Sequence, residues 1–362
     1  PTTSQPAPQA PCLTVLGFAL GWLLLASQLQ LAAGRSGDSP LRAPGRAAGH
    51  LVPLATSATR PAPCWRDALA RSAKGSGPSE GEDADEEAHS CIDFLVRRMP
   101  ETDREEVSAE FLARNCKLAL AARRRSAWAS AVPWTIFCEY VLPYASLNEV
   151  RDEWRTLFAE LLAPIVVDAR NAKDAALAMN AELWRQWDPP IHFVAQQTRV
   201  GHAGQLSPLT VIRAGNASCT GLSIMLADAL RAVGVPARVV GTPVWNWPGC
   251  SHEALTEASC GNHNWVEVWV QMEEAEGAWH FFGAAEGGFD DGWFFPEPAQ
   301  QQQPGGLNIS IYGARFGPPG SLAEDSAAGL APALYHFPMV WAWDDRSVGA
   351  DDITFRYLAS SV

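Results

Sequence analysis

GNASCTGLSIMLADALRAVGVPARVVGTPVW (215–245), GNHNWVEVWV (261–270) and AWHFFGAAE (278–286) make up the stretch from which the fold of this chain is read. Leu222, Met225, Leu226, Leu230 and Val233 recur at helical spacing, which predicts a helix beginning at Cys219. Asn216 and Ser218 stand just before it as candidate N-caps. Gly234 ends that helix and Pro236 prevents its continuation. Ala237 to Val244 is apolar and β-branched enough for a buried strand. Asn264 to Val270 alternates, with Trp265, Glu267 and Trp269 on one face and Val266, Val268 and Val270 on the other. A third strand is predicted over Ala278 to Phe282. The order is a cysteine at a helix start, a strand, a histidine at the head of a strand, and another strand.

That order has a chemical meaning. A thiol at a helix N-terminus faces the positive end of the helix dipole, which favours thiolate. Thiolate is the nucleophile, and backbone N–H groups at the helix start can stabilise an oxyanion. His263, at the mouth of the Asn264–Val270 strand, is the best placed partner for the proton. The plainer alternative makes Cys219 a small buried apolar residue and His263 a turn residue.

The segments SCTGLSIMLADALRAVGVPARVV, NHNWVEVWV and WHFFGAAE together resemble the transglutaminase-like superfamily, which includes transglutaminases, peptide N-glycanases and microbial thiol peptidases. The upstream FLVRRMPETDREE through FCEYVLPYASLNEVRDEWR is similar to the helical region that precedes this core in some bacterial-type members. The resemblance implies an α+β fold: a papain-like, transglutaminase-like core with the nucleophile helix packed on an antiparallel sheet, behind a helical region. It also implies that Cys219 is the nucleophile and His263 the base.

One position departs from that pattern. The third strand of the family presents an aspartate that orients the histidine, and the matching residue here is Gly283. A triad carboxylate holds the imidazole in the useful tautomer and stabilises its charged form, which a glycine cannot do. Glu286, three residues on, is the first candidate to replace it, ahead of Asp290 and Asp291. A backbone carbonyl, Asn262 or Asn264 are further options.

The remaining composition bounds the rest. The net charge of −13, with no basic stripe, excludes a general nucleic-acid binder. Residues 1–33, with the apolar run Leu13 to Ala26, read as a signal peptide, or as a membrane anchor if uncleaved. A protein with such a leader is expected to be secreted or to reside in an endomembrane lumen. Residues 34–90 read as a low-complexity linker turning acidic at GEDADEEA, 91–172 as a helical region, 173–298 as the core and 299–362 as a loop and β-rich tail. Within the helical region Glu101 to Ala131 reads as one long helix. Ser146 with Glu149 resembles a capping box, with helices expected across Asn148 to Leu162 and Asp174 to Trp187. In the tail, Leu334 to Trp343 and Ile353 to Leu358 read as strands.

There are eight cysteines. Setting aside Cys12 and Cys219 leaves Cys64, Cys91, Cys116, Cys138, Cys250 and Cys260, an even number suited to an oxidising compartment. Cys250 and Cys260 bracket a loop and can pair. Cys250, His252, Cys260 and His263 also spell C-x-H and C-x-x-H, but the spacing matches no strong zinc motif, so neither metal nor other cofactor is expected. Asn216 and Asn308 head glycosylation acceptor patterns, of which Asn308 is the better placed. Trp245, Trp247 and Trp265 suggest an aromatic substrate cleft, with core packing the competing reading, and Trp293, Phe294 and Phe295 either line a cleft or fill the core. Three functions stay open: a thiol hydrolase acting on protein or peptide amide bonds, an acyltransferase that uses an amine in place of water, and a non-catalytic scaffold that keeps the fold.

Overall fold

The computed structural model describes residues 81–195, 207–250, 260–271, 276–321 and 333–358. Ten α-helices are described: α1 (Gly81–Arg98), α2 (Glu101–Glu106), α3 (Ala109–Arg124), α4 (Ala127–Ser130), α5 (Trp134–Tyr140), α6 (Trp154–Leu161), α7 (Ala172–Glu182), α8 (Pro208–Ala214), α9 (Cys219–Ala232) and α10 (Thr354–Leu358). The strands are β1 (His192–Phe193), β2 (Asn216–Ala217), β3 (Ala237–Thr242), β4 (His263–Val270), β5 (Ala278–Phe282), β6 (Tyr312–Arg315), β7 (Tyr335–His336) and β8 (Gly349–Asp352). This is an α+β arrangement. Helices come first, and α9 then packs on an antiparallel sheet of order β5-β4-β3-β6-β8-β7. β1 and β2 form a separate parallel pair just ahead of α9.

Side-chain alternation on β3 and β4 divides the core by face. Val239, Val266, Val268 and Val270 join Leu222, Met225, Leu226 and Leu230 of α9 in the largest apolar cluster. Val240 and Trp265 point the other way, into a second cluster with Phe281, Phe294 and Tyr357. A third cluster joins α1, α3 and α5 to Trp269 and Phe316. The expected helix and three strands of the 215–286 stretch are therefore present, with the valine face against α9.

Four boundaries differ from the sequence reading. Helix α1 begins at Gly81, inside the stretch read as linker, and runs to Arg98. The single helix expected over Glu101 to Ala131 is three, since Ser108 and Ser126 turn extended and their hydroxyls accept from the N–H of Phe111 and Ala129. Glu149 does reach back to the N–H of Ser146 (2.6 Å) and Leu147 (2.7 Å), but α6 starts only at Trp154. Ile353 to Leu358, read as a strand, is largely α10: Asp352 accepts from both the N–H (3.1 Å) and hydroxyl (2.6 Å) of Thr354 and starts a helix there. The 299–362 segment is also not a separate tail, because β6, β7 and β8 complete the sheet that carries β3, β4 and β5. The expected signal or anchor at 1–33, Cys12 and Cys64 lie outside the described residues. Among the described residues no helix is long and apolar enough to cross a membrane.

Candidate active site

Ser218 enters α9 with extended backbone (φ −71°, ψ 174°), so Cys219 is the first helical residue. The first N–H groups of a helix have no partner within it, and here they turn to the thiol. The N–H groups of Cys219, Thr220 and Asn264 and the hydroxyl of Thr220 all bear on the sulfur and favour its ionised form. Burial acts against them and is stronger, pushing the thiol above its ordinary value. Donors without a nearby cation do not preform a thiolate, and this corrects the expectation drawn from the helix dipole alone. Cys219 nonetheless keeps partial exposure and is free rather than disulfide-bonded.

His263 is the first residue of β4 and pairs across to Thr242 of β3. Its side chain falls on the Trp265 side of the sheet. The ring centroid lies 4.8 Å from that of Trp293, 5.1 Å from Phe294, 5.7 Å from Trp265 and 6.4 Å from Trp245. Only 7% of the residue is exposed. Burial pushes its pKa down to about 3, because an apolar wall disfavours the imidazolium. Nε2 has no hydrogen-bond partner. Asn264, the residue after His263, sends its N–H toward Sγ, and its side-chain Oδ1 accepts from the Thr220 hydroxyl at 2.8 Å.

The turn after β5 lies at that same end of the sheet. Asn180 of α7 clamps it, donating from Nδ2 to the carbonyls of Gly283 (3.0 Å) and Glu286 (2.8 Å) and accepting from the N–H of Ala285 (2.9 Å). Strand alternation turns residue 283 toward the face of Phe281, the face that also holds His263. A Cβ added at Gly283 would run into the carboxylate of Glu286. Glu286 therefore fills the space in which an aspartate side chain at 283 would begin. Burial raises its pKa. It does not bond Nε2, which is unpartnered, and it lines a hollow of about 630 Å³ with Asn180, Trp184, Arg185 and Ile191.

The other expected residues are placed as follows. Asn264 is engaged by Thr220 and, at 3.4 Å, by the carbonyl of Val240, so its side chain does not orient His263. Asp290 accepts from the N–H of Phe281 (3.2 Å) and meets His280 Nδ1 at 2.7 Å. Trp245 and Trp265, expected to line a substrate cleft, are buried at 2% and 0% exposure. Their alternation points them into the cluster with Phe294 and Tyr357, which corrects the cleft reading. The exposed indole beside His263 is Trp293, at 55%. Cys250 and Cys260 are joined as a disulfide, which removes both thiols from the C-x-H and C-x-x-H pattern. His252 lies outside the described residues. Of the glycosylation candidates, Asn308 is exposed, whereas Asn216 sits in β2 with Nδ2 bonded to the Ala214 carbonyl at 2.9 Å.

Thr220 and Asn180 are residues sequence reasoning did not single out for this site, and Trp293 was left between cleft and core. Asn180 carried a signal, as the polar residue of the otherwise apolar AALAMNA run. The roles of Thr220 and Trp293 depend on which strand end meets which helix end. Residues 168–293 form a transglutaminase-like superfamily domain, matching that family's model over this span. No curated protein matches the chain.

Proposed function

We propose that this domain is a thiol-dependent acyl-transfer enzyme acting on amide or peptide bonds, with Cys219 as nucleophile, His263 as proton carrier and Glu286 as the group that orients the imidazole. The superfamily holds cysteine-dependent acyltransferases and peptidases as well as non-catalytic members. The observation that carries the reading is the ring of N–H and O–H donors around a partly exposed thiol at the helix start, with Asn264, the residue after His263, among the donors. Donors in that position stabilise charge that develops on attack.

The resting pair is neutral, so proton transfer accompanies attack. The Cys219 sulfur forms a bond to the acyl carbon as its proton passes to the imidazole. The carbonyl oxygen gains negative charge beside the helix N–H groups. The imidazolium then gives its proton to the leaving amine as the C–N bond breaks. Water repeats the sequence in reverse roles: its proton goes to the imidazole, its oxygen bonds the acyl carbon, and the released sulfur takes the proton back. A primary amine in place of water completes a transamidation instead. Movement of the Glu286 carboxylate onto Nε2 would raise the basicity of His263 when substrate displaces water. The Cys250–Cys260 disulfide supports a secreted or lumenal setting, with a protein or peptide as substrate.

The neutral His263 with its unpartnered Nε2 is the specific observation favouring a second reading, a non-catalytic scaffold. Acylation by p-nitrophenyl acetate separates the two. An enzyme acquires an acetyl group on Cys219, seen in the peptide mass map, well above the rate of a free cysteine, and both Cys219→Ala and His263→Ala lose it. Labelling at the rate of a free cysteine, or labelling indifferent to His263→Ala, would make the domain a scaffold. A fluorescent primary amine added to the acylated enzyme distinguishes transamidation from hydrolysis.

A further inference from the structure

The residue after Cys219 and the residue after His263 are bonded to each other. Thr220 donates its hydroxyl proton to Oδ1 of Asn264 at 2.8 Å, and the two residues are 5% and 7% exposed. Asn264 is itself held from the other side. Its Nδ2 faces the Val240 carbonyl at 3.4 Å, and Gly241 leaves room for that amide, because a Cβ there would collide with Nδ2. One amide thus ties α9, β3 and β4 together at the end that carries Cys219 and His263. At its other end α9 is tied to β3 by Arg231, whose Nε donates to the Ala237 carbonyl at 3.0 Å, and between the two ends it rests on Val266, Val268 and their apolar neighbours. Dispersion contacts are individually weak and carry no direction, so they leave sliding and rotation of a helix end loosely determined. A hydrogen bond fixes both.

Thr220 has a second acceptor within reach, the sulfur of Cys219, where its hydroxyl favours the ionised form. A threonine hydroxyl carries one proton. That proton serves Asn264 in the resting state and can swing to sulfur as charge builds there. The N–H groups of Cys219, Thr220 and Asn264 also favour the ionised sulfur, and burial opposes it. His263 is the titratable side chain that β4 brings to this corner.

We propose that Thr220 is a positioning residue of this site: its hydroxyl fixes the nucleophile helix against the histidine strand through Asn264 and turns its single proton to sulfur when Cys219 ionises. The proposal rests on the reading of Cys219 as a nucleophile.

The test is the pH dependence of Cys219 alkylation by iodoacetamide in the full chain, with thermal melting run in parallel. Hydrogen bonds to charged groups are the stronger class, so Thr220→Val should move the midpoint of the profile upward by about one to two pH units, and Thr220→Ser should restore it. A superimposable profile for Thr220→Val overturns the proposal, as does a shift that Thr220→Ser leaves uncorrected. Thr220→Ala replaces Thr220→Val, with the same two outcomes, if the valine variant does not fold. The comparison is between variants, whereas the acyl-transfer reading is decided by the acylation rate of the unmodified chain against a free cysteine. Either can therefore fail alone.

Discussion

The carboxylate of Glu286 stands over Gly283 in the space where a side chain at 283 would start. A carboxylate three residues along the chain thereby reaches the neighbourhood that the family's aspartate would occupy, without yet touching Nε2 of His263. The two positions compete for one volume. Glu286→Gln is expected to lower the acylation rate of Cys219 by roughly 10²- to 10⁴-fold, the span of a general acid–base contribution. Gly283→Asp alone should not help, since its side chain meets Glu286, but Gly283→Asp with Glu286→Ala should recover most of the loss. A double variant no faster than Glu286→Gln, or a silent Glu286→Gln, would remove the carboxylate from the mechanism.

His263 makes a prediction about acid stability. Its folded pKa is depressed to about 3 by burial, below an unfolded value of 6.5. Well above pH 7 both states are unprotonated and the group contributes nothing to pH dependence. Between pH 6.5 and about 3 the unfolded chain binds a proton that the folded chain refuses. Stability therefore falls as pH drops through that window, by up to ~1.4 kcal/mol per pH unit from this residue. Urea denaturation at stepped pH should show this slope, and His263→Gln should flatten it. An unchanged slope in the variant would mean that the ring is solvated.

The helix at Cys219 and the strand at 264–270 were legible because each obeys one period over its whole length, and the strand at 237–244 because it is apolar and β-branched. The valine face of β4 followed from the same alternation. What the sequence did not carry was depth. Trp245 and Trp265 look alike as cleft or core, and only the second cluster beyond the sheet decides for core. The protonation of the pair was likewise hidden. A helix N-terminus favours thiolate, but burial exceeds it at Cys219, and Trp293 and Phe294 from a distant segment wall in the imidazole. Ile353 to Leu358 misled for a local reason: its apolar character fits a strand, while Asp352 caps it as a helix.

Asn180 holds the Glu286 turn by three hydrogen bonds while itself 5% exposed. Asn180→Leu keeps similar bulk but removes all three bonds, leaving the Gly283 carbonyl with the Glu286 N–H at 3.2 Å and the groups of the exposed Ala285 and Glu286 to solvent. A hydrogen bond contributes a net of about 0.5–1.5 kcal/mol, so the variant should lose roughly 1–3 kcal/mol in urea denaturation. If the turn serves the site, acylation of Cys219 should slow in the residual folded protein as Glu286 wanders. A stable variant with normal acylation would show that the turn holds its shape unaided.

The register that sets His263 opposite Thr242 is fixed four pairs further along, where Arg238 of β3 faces Glu267 of β4. Arg238 donates to Glu267 Oε2 from Nε (2.8 Å) and from its terminal nitrogen (2.5 Å), and its guanidinium lies 4.1 Å from the Trp279 ring centroid. The other carboxylate oxygen accepts from Tyr357 (3.0 Å), which in turn accepts from Trp265 Nε1 (2.7 Å). Both charged residues are buried, at 2% exposure each. A one-residue slip of β4 would bring a valine opposite Arg238 and bury an unpaired charge, so this pair selects one register over its neighbours. Removing one partner from a buried pair typically costs ~3–5 kcal/mol, whereas replacing both with apolar residues is often close to neutral. Glu267→Ala and Arg238→Met are each expected to show that loss in urea denaturation. The double variant Arg238→Met, Glu267→Leu should regain most of it while loosening the register. Loosening would appear as faster amide exchange at Thr242 and His263 and as slower acylation of Cys219. If the double variant matches the unmodified chain in both exchange and acylation, the ion pair has no part in holding His263 in place.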